Sequence, residues 1–342
     1  MEKDNTGSFY NYLPEGCRLC YMGAKMVLFI TGSCGKNCFY CPVSYERKEK
    51  DLIFANERRV GKDEDIIEEA ISMEALGTGI TGGEPLLRLD RVVHCIKLLK
   101  NRFGKAHHIH LYTALAPNRG VLEMLKKAGL DEIRFHPPRD QLKNIGRTYY
   151  RESIHAAHEL GLSAGIEIPS LPSDFGGIIS LLGEVGGFLN LNELEISETN
   201  AEELKDRGFV AVDDVSSAIF GSKEVALLVH ADKIHFCSSR FKDAVQLRER
   251  FKRIAKMSAR EFDEITEDGT LVYGAIEGGG SLSILKEAGV TDDMYSCMNG
   301  TIETTWWIVS DLAEALKKKG CIVSVIERYP MKNGMLVEKT PL

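Results

Sequence analysis

Cys34, Cys38 and Cys41 stand in the run Cys-Gly-Lys-Asn-Cys-Phe-Tyr-Cys, a C-x3-C-x2-C spacing. Three thiolates on so short a loop can wrap one metal centre, and small residues such as Gly32, Ser33 and Gly35 relieve crowding around it. Around a four-iron cube, three protein ligands leave one iron open, and an open metal position is what a catalytic site needs. A zinc knuckle or a set of buried thiols are the alternatives that the spacing leaves.

Other residues carry weaker signals. Cys17-Arg-Leu-Cys20 is a C-x2-C pair, which cannot close a zinc or cluster site without further ligands. Cys237 and His235, in His235-Phe236-Cys237, are the candidates to complete a second metal site, with Zn2+ and an auxiliary iron–sulfur cluster both open. Gly82-Gly83-Glu84-Pro85 pairs glycines that let a backbone approach a ligand with a carboxylate that can accept a charge-assisted hydrogen bond. Cys95 sits in a helical pattern and reads as core, and Cys297 and Cys321 as structural thiols. The basic stretch Arg240, Lys242, Arg248, Arg250, Lys252, Arg253 and Lys256 reads first as a solvated helix face and second as a contact for RNA or an acidic protein. Trp306-Trp307 and Tyr329-Pro330 read as aromatic core packing before a substrate groove.

Composition bounds these readings. The chain has 342 residues, 44% of them hydrophobic and 27% charged, enough for one large domain and a smaller one. A net charge of −7 argues against a surface that grips nucleic acid everywhere. The nine cysteines, five within the first 41 residues, are an odd number that suits metal binding better than a closed disulfide framework. No apolar run is long enough to span a bilayer, and Met1-Glu2-Lys3-Asp4 lacks a signal-peptide pattern. A cytoplasmic protein is therefore expected.

The elements that must position these residues alternate. Strands are expected over residues 26–30, 75–81, 108–113, 132–135, 164–168 and 193–197, with helical periods between them. Apolar strands separated by helices imply a parallel sheet covered by helices. Six such units make an open partial barrel, whose active site forms at the C-terminal ends of the strands. From about residue 231 the pattern changes to strand-like pieces around a helix at 306–318, with Lys332-Asn333-Gly334 as a tight turn. The expected division is an N-terminal segment 1–24, a barrel 25–230 and a C-terminal α+β domain 231–342 that holds substrate.

The C-x3-C-x2-C run with Tyr40 before its last cysteine, followed one strand–helix unit later by Gly82-Gly83-Glu84-Pro85, resembles the radical S-adenosylmethionine (radical SAM) superfamily. The resemblance implies an α/β fold, a partial (β/α)6 TIM-type barrel with a small C-terminal α+β domain. It implies a [4Fe-4S] cluster on Cys34, Cys38 and Cys41 that chelates SAM at its fourth iron. Reductive cleavage of SAM to a 5′-deoxyadenosyl radical, and hydrogen abstraction from a substrate, are the implied reaction. SAM contacts are implied for Tyr40, Gly82, Gly83, Glu84, Pro85, Thr113, Arg134, Glu167 and Ser197. The implied electron donor is a reductant such as ferredoxin or flavodoxin. With 33 residues ahead of Cys34, no cobalamin-binding or methylthiotransferase-type domain is expected there. The barrel is similar to the activases of the pyruvate formate-lyase type, and the whole chain to archaeal proteins so labelled. Three readings follow: an enzyme acting on a macromolecule, protein or RNA; a glycyl-radical-enzyme activase; and an iron–sulfur electron carrier or scaffold without SAM chemistry. The Gly82–Pro85 motif argues against the last, because a carrier needs no cofactor pocket.

Overall fold

A computed structural model describes residues 1–298, 300–331 and 334–342. The chain forms two compact units, residues 1–71 with 75–246, and residues 72–74 with 247–342.

The first unit is built on seven consecutive parallel strands. They are β1 (Lys25–Phe29), β2 (Gly77–Thr81), β3 (His108–Thr113), β4 (Glu132–Phe135), β5 (Ser163–Pro169), β6 (Phe188–Asn192) and β7 (Ile234–Cys237), each paired with the next. The sheet stays open, ending at Phe54–Ala55 and Arg58–Arg59 on one edge and at Glu2–Lys3 and Phe9–Tyr10 on the other. One face of the strands supplies Ile80, Ile109, Leu111, Ile133, Phe135, Ile166, Leu189 and Phe236, all fully buried or nearly so. The crossover helices bury matching stripes, such as Val92, Ile96 and Leu99 of Leu89–Phe103 and Leu122 and Leu125 of Arg119–Ala128. Period-two alternation sends the other residues of each strand to the inner face, which carries many polar side chains, among them Lys25, His110, Tyr112, Arg134, Glu167, Asn190 and His235. Turn chemistry fits, as where Asn118 caps Arg119–Ala128 and Gly129 ends it in the left-handed region at φ 115°.

Three sequence expectations change here. Residues 193–197 are not a strand; the sixth strand is Phe188–Asn192, which carries the chain to the cavity five residues earlier. The segment after it forms only an isolated bridge, Glu195 to Ala218. A seventh strand, Ile234–Cys237, belongs to the barrel sheet rather than to a C-terminal domain beginning at 231. Residues 1–24 are likewise part of the first unit: Phe9–Tyr10 pairs antiparallel with β7, and α1 (Glu15–Tyr21) packs against β1, β2 and β3. A Cβ on Gly16 of α1 would lie 2.6 Å from both Arg134 and His110, so glycine lets this helix press onto the inward-facing side chains.

The second unit is an antiparallel sheet in the order β9 (Tyr295–Met298), β10 (Thr301–Thr304), β8 (Leu271–Glu277), β11 (Ile322–Arg328) and β12 (Leu336–Pro341). Glu264–Ile265 adds to β8. The helix Trp306–Lys318 packs Ile308, Val309 and Leu316 onto Ile276, Ile302 and Val323. Gly274 makes this possible, because a Cβ there would meet Val309 at 2.1 Å. Lys332 and Asn333 of the expected turn lie outside the described residues; β11 and β12 on either side pair antiparallel. Cys95 and Cys321 are buried as expected, whereas Cys297 is exposed on β9. Trp306 and Trp307 are exposed, 36% and 49%, not core: the apolar stripe of their helix passes through Ile308 and Val309 instead, and the Trp306 indole donates to Glu264.

Candidate active site

The loop after β1 carries Cys34, Cys38 and Cys41, all half-buried and all on the wall of one cavity of about 540 Å3. Backbone contacts shape this loop. Gly32 N–H donates to Lys50 O at 2.7 Å and Glu49 N–H to Gly32 O at 3.0 Å, and Cys41 N–H donates to Cys38 O at 3.0 Å. A Cβ on Gly32 would meet the Arg47 carbonyl at 1.7 Å, so only glycine admits the crossing of these two segments. On the far side the loop is tied down by Asn200 Nδ2 donating to Tyr40 O at 3.2 Å and Thr199 Oγ1 to Cys41 O at 3.2 Å. Phe39 stacks on Phe209 at 5.9 Å, with the Arg207 guanidinium 4.7 Å from its ring.

Gly82 and Gly83 follow β2 and pack backbone to backbone against residues 31–33. A Cβ on Gly83 would lie 2.5 Å from Gly32 O, and one on Gly82 2.7 Å from Thr31 O. Gly82, Gly83, Pro85 and Thr113 line the cavity with the three thiols. Glu84 does not. Its carboxylate is fully buried and accepts from Leu86 N at 3.0 Å, Thr113 Oγ1 at 2.8 Å and Ala114 N at 2.6 Å. Burial pushes its pKa above the ordinary carboxylate value, and these three donors oppose the shift. Glu84 therefore fixes the two glycines against the end of β3 instead of presenting its oxygens to the cavity. Glu84→Ala leaves three donors without an acceptor and is expected to cost about 2–4 kcal/mol. Urea unfolding of the purified protein checks this, and a loss under about 0.5 kcal/mol would contradict the role.

Below the glycines the cavity wall is charged. Arg134 Nε donates to Glu132 Oε1 at 2.5 Å, and its Nη1 donates to Glu167 Oε2 at 2.7 Å and Tyr112 Oη at 3.1 Å. Asn190 and Asn192 each donate to Glu167 at 2.9 Å. Burial works against the Glu167 carboxylate, but Arg134 and the two amides outweigh it and hold its pKa at about 2. Arg134 and Glu167 thus satisfy each other within the cavity wall. His136, just past β4, donates from Nδ1 to the Glu167 carbonyl at 2.8 Å, so its Nε2 accepts from the Tyr40 hydroxyl at 3.0 Å. Ser197 lies away from the cavity, its Oγ 3.1 Å from Thr199 Oγ1, because the strand ends at Asn192 and the following turn carries it out.

Residues 28–182 match the radical SAM superfamily, and residues 269–342 a domain of unknown function (DUF8061). A curated relative from Methanocaldococcus jannaschii, named "Putative glycyl-radical enzyme activating enzyme MJ0021", is 38% identical over 97% of this chain and 94% of its own length. The chain belongs to the radical SAM superfamily. Among solved structures, SuiB of Streptococcus suis bound to its precursor peptide SuiA aligns at a TM-score of 0.38 and 15% identity, over 52% of this chain and 42% of that one. SuiB bound to S-adenosylmethionine aligns at 0.40 and 13%, over 63% and 50%. The present chain thus spans half or less of SuiB.

As a radical SAM enzyme the protein uses a [4Fe-4S] cluster and SAM, and its residues suit both. The donor set on the loop is three thiols, soft ligands that favour iron–sulfur centres, and Gly82 and Gly83 present backbone on the same cavity wall. Of the residues singled out in the sequence, Cys34, Cys38, Cys41, Tyr40, Gly82, Gly83, Pro85, Thr113, Arg134 and Glu167 line this one cavity, and Glu84 and Ser197 do not. The sequence reading missed His136, Asn190 and Asn192. Each stands at or near the C-terminal end of a barrel strand, and position relative to the strand was the available signal. Cys17, Cys20, His235 and Cys237 also line the cavity. Arg134 Nη1 lies 3.5 Å and Asn190 Nδ2 3.4 Å from Cys17 Sγ. Burial pushes the Cys17 thiol up to about 12, with Arg134 opposing, and holds the His235 imidazole neutral at about 4. These four do not bring three ligand atoms within 4.8 Å of one another.

Proposed function

We propose that Cys34, Cys38 and Cys41 hold the [4Fe-4S] cluster, that SAM binds against the Gly82-Gly83 backbone, and that the substrate is a protein. One observation carries the first two assignments: the three thiols and the two glycines share the wall of a single cavity at the C-terminal ends of the parallel strands. When bound, the cluster supplies the electron and SAM the radical precursor. The chain's own residues do the rest. Thr31–Ser33 and Gly82-Gly83 bring the two loops into backbone contact, Glu84 locks that contact, and Tyr40 and His136 form a hydrogen-bonded pair beside Cys41. Arg134, Asn190 and Asn192 keep Glu167 ionised in the cavity wall, a fixed ion pair that orients whatever polar group enters.

A protein substrate is supported by the name of the Methanocaldococcus relative, which describes an enzyme that activates a glycyl-radical enzyme. RNA is the weaker reading, because the basic stretch is not a free stripe. Lys242 pairs with Glu195 at 2.6 Å, Lys252 with Glu249 at 3.0 Å, and Arg250 is buried. A small redox protein, ferredoxin or flavodoxin, is the proposed electron donor. No described helix is long and apolar enough to cross a membrane.

Anaerobic reconstitution, reduction and addition of SAM tests the enzyme reading: 5′-deoxyadenosine should form. A fully loaded cluster with no cleavage would contradict it. The protein substrate is tested by comparing intact protein masses with and without the gene; a change confined to RNA would overturn it.

Cys17, Cys20 and Cys237 form the basis of a second proposal, an auxiliary cluster with His235 nearby. A zinc ion needs its sulfurs about 4 Å apart, closer than this set comes, whereas a cluster spans a wider gap. Arg134 and Asn190 at Cys17, and Lys25 near Cys20, supply the donors that cluster thiolates take. The Cys17→Ala/Cys20→Ala protein should reconstitute with less iron than wild type; equal iron and zinc contents would remove the site.

A further inference from the structure

The opposite end of the barrel holds a group of side chains that the radical chemistry does not use. His108 and His110 lie two residues apart on β3 and so face the same way, and Glu132, the first residue of β4, sits in register beside His110. One ligand atom from each of the three can be chosen so that all lie within 4.8 Å of one another. His110 and Glu132 are at most 1% exposed. Nε2 of His108, both ring nitrogens of His110 and Oε2 of Glu132 are buried without a hydrogen-bond partner among the described residues. His108 Nε2 and Glu132 Oε2 approach only to 3.6 Å. Buried polar atoms are nearly always paired, so unpaired atoms on all three side chains of so close a group indicate a missing partner.

We propose that His108, His110 and Glu132 bind a divalent first-row transition ion, of the zinc or ferrous class. Two imidazole nitrogens and one carboxylate oxygen are the donors such ions take, and three protein ligands leave further positions for water. The surroundings are arranged as an outer shell. Glu132 Oε1 is held at 2.5 Å by Arg134, which orients the carboxylate and leaves Oε2 directed at the histidines. Glycines at 16 and 79 leave both nitrogen edges of the His110 ring uncovered, since a Cβ at either would come within 2.6 Å of them. His108 also lines a surface groove of about 640 Å3, with Glu15 and Asp131 among its other lining residues. The ion would tie β3 to β4 beneath α1.

The test uses the full-length chain with Cys34→Ser, Cys38→Ser, Cys41→Ser, Cys17→Ser and Cys20→Ser, so that neither proposed thiolate site competes. After chelator treatment it is titrated anaerobically with Co2+ and, separately, with Zn2+. The expected result is one tightly held ion per chain, with a Co2+ spectrum of ligand-field bands and no sulfur-to-metal charge transfer. His108→Ala, at the partly exposed edge of the site, should fold normally and weaken binding at least about tenfold. Glu132→Gln should do the same, with circular dichroism as the check that it folds. Three outcomes would overturn the proposal: no retained ion, a thiolate charge-transfer band, or unchanged affinity in folded His108→Ala.

Discussion

Cys38→Ala should lower 5′-deoxyadenosine formation by at least about a thousandfold, equivalent to some 4 kcal/mol of lost catalysis, and most of the iron with it. Cys38 is the middle ligand of the proposed set, and two remaining thiols cannot hold a four-iron cluster with one position left for SAM. The fold should survive. The loop contributes no strand to the sheet, and its anchors are backbone contacts at Gly32, Tyr40 and Cys41 that the substitution leaves in place. The measurement is iron content and SAM cleavage after identical anaerobic reconstitution, with thermal unfolding as the fold control. Undiminished cleavage would mean that another triplet carries the cluster. A collapsed melting transition would shift the question to Cys38→Ser, which keeps the size of the side chain.

Arg134→Met should destabilise the protein by about 3–5 kcal/mol at neutral pH, the largest structural effect expected of a single substitution here. Arg134 is 1% exposed and pairs with two carboxylates, Glu132, which is 1% exposed, and Glu167, in the cavity wall. Methionine fills the volume but leaves both charges unpaired. The pH dependence gives the sign. In the wild type Glu167 has its pKa lowered from 4.5 to about 2, so its contribution is fully present above about pH 4.5 and fades as the pH falls towards 2. In the variant, burial without Arg134 raises that pKa, so protonation on acidification relieves the unpaired charge. The gap in stability between the two proteins should therefore narrow between about pH 7 and pH 4. Urea unfolding across that range measures it. A gap that stays constant would show that the cost is packing rather than charge.

Much of this site was legible in the order of residues. A C-x3-C-x2-C loop and a Gly-Gly-Glu-Pro turn declare their chemistry locally, since ligand spacing and backbone freedom are properties of a few consecutive residues. Alternating apolar strands and helices declared a parallel sheet for the same reason: periodicity is local. What stayed hidden depends on distance along the chain. That Glu84 turns inward follows from where Thr113 and Ala114 arrive, thirty residues later. That Phe9–Tyr10 and Ile234–Cys237 share one sheet edge joins residues more than two hundred positions apart. The inner wall shows the difference most clearly. His108, His110 and Glu132 read individually as strand residues, and Arg134 as a ligand for SAM. Only the parallel register of β3 and β4, which sets His110 beside Glu132 and Tyr112 beside Arg134, makes one group a candidate metal site and the other a buried ion network. The sequence alone determined which residues could do chemistry; the tertiary structure decided which of them meet, because strand register and burial are fixed by the packing of the whole barrel.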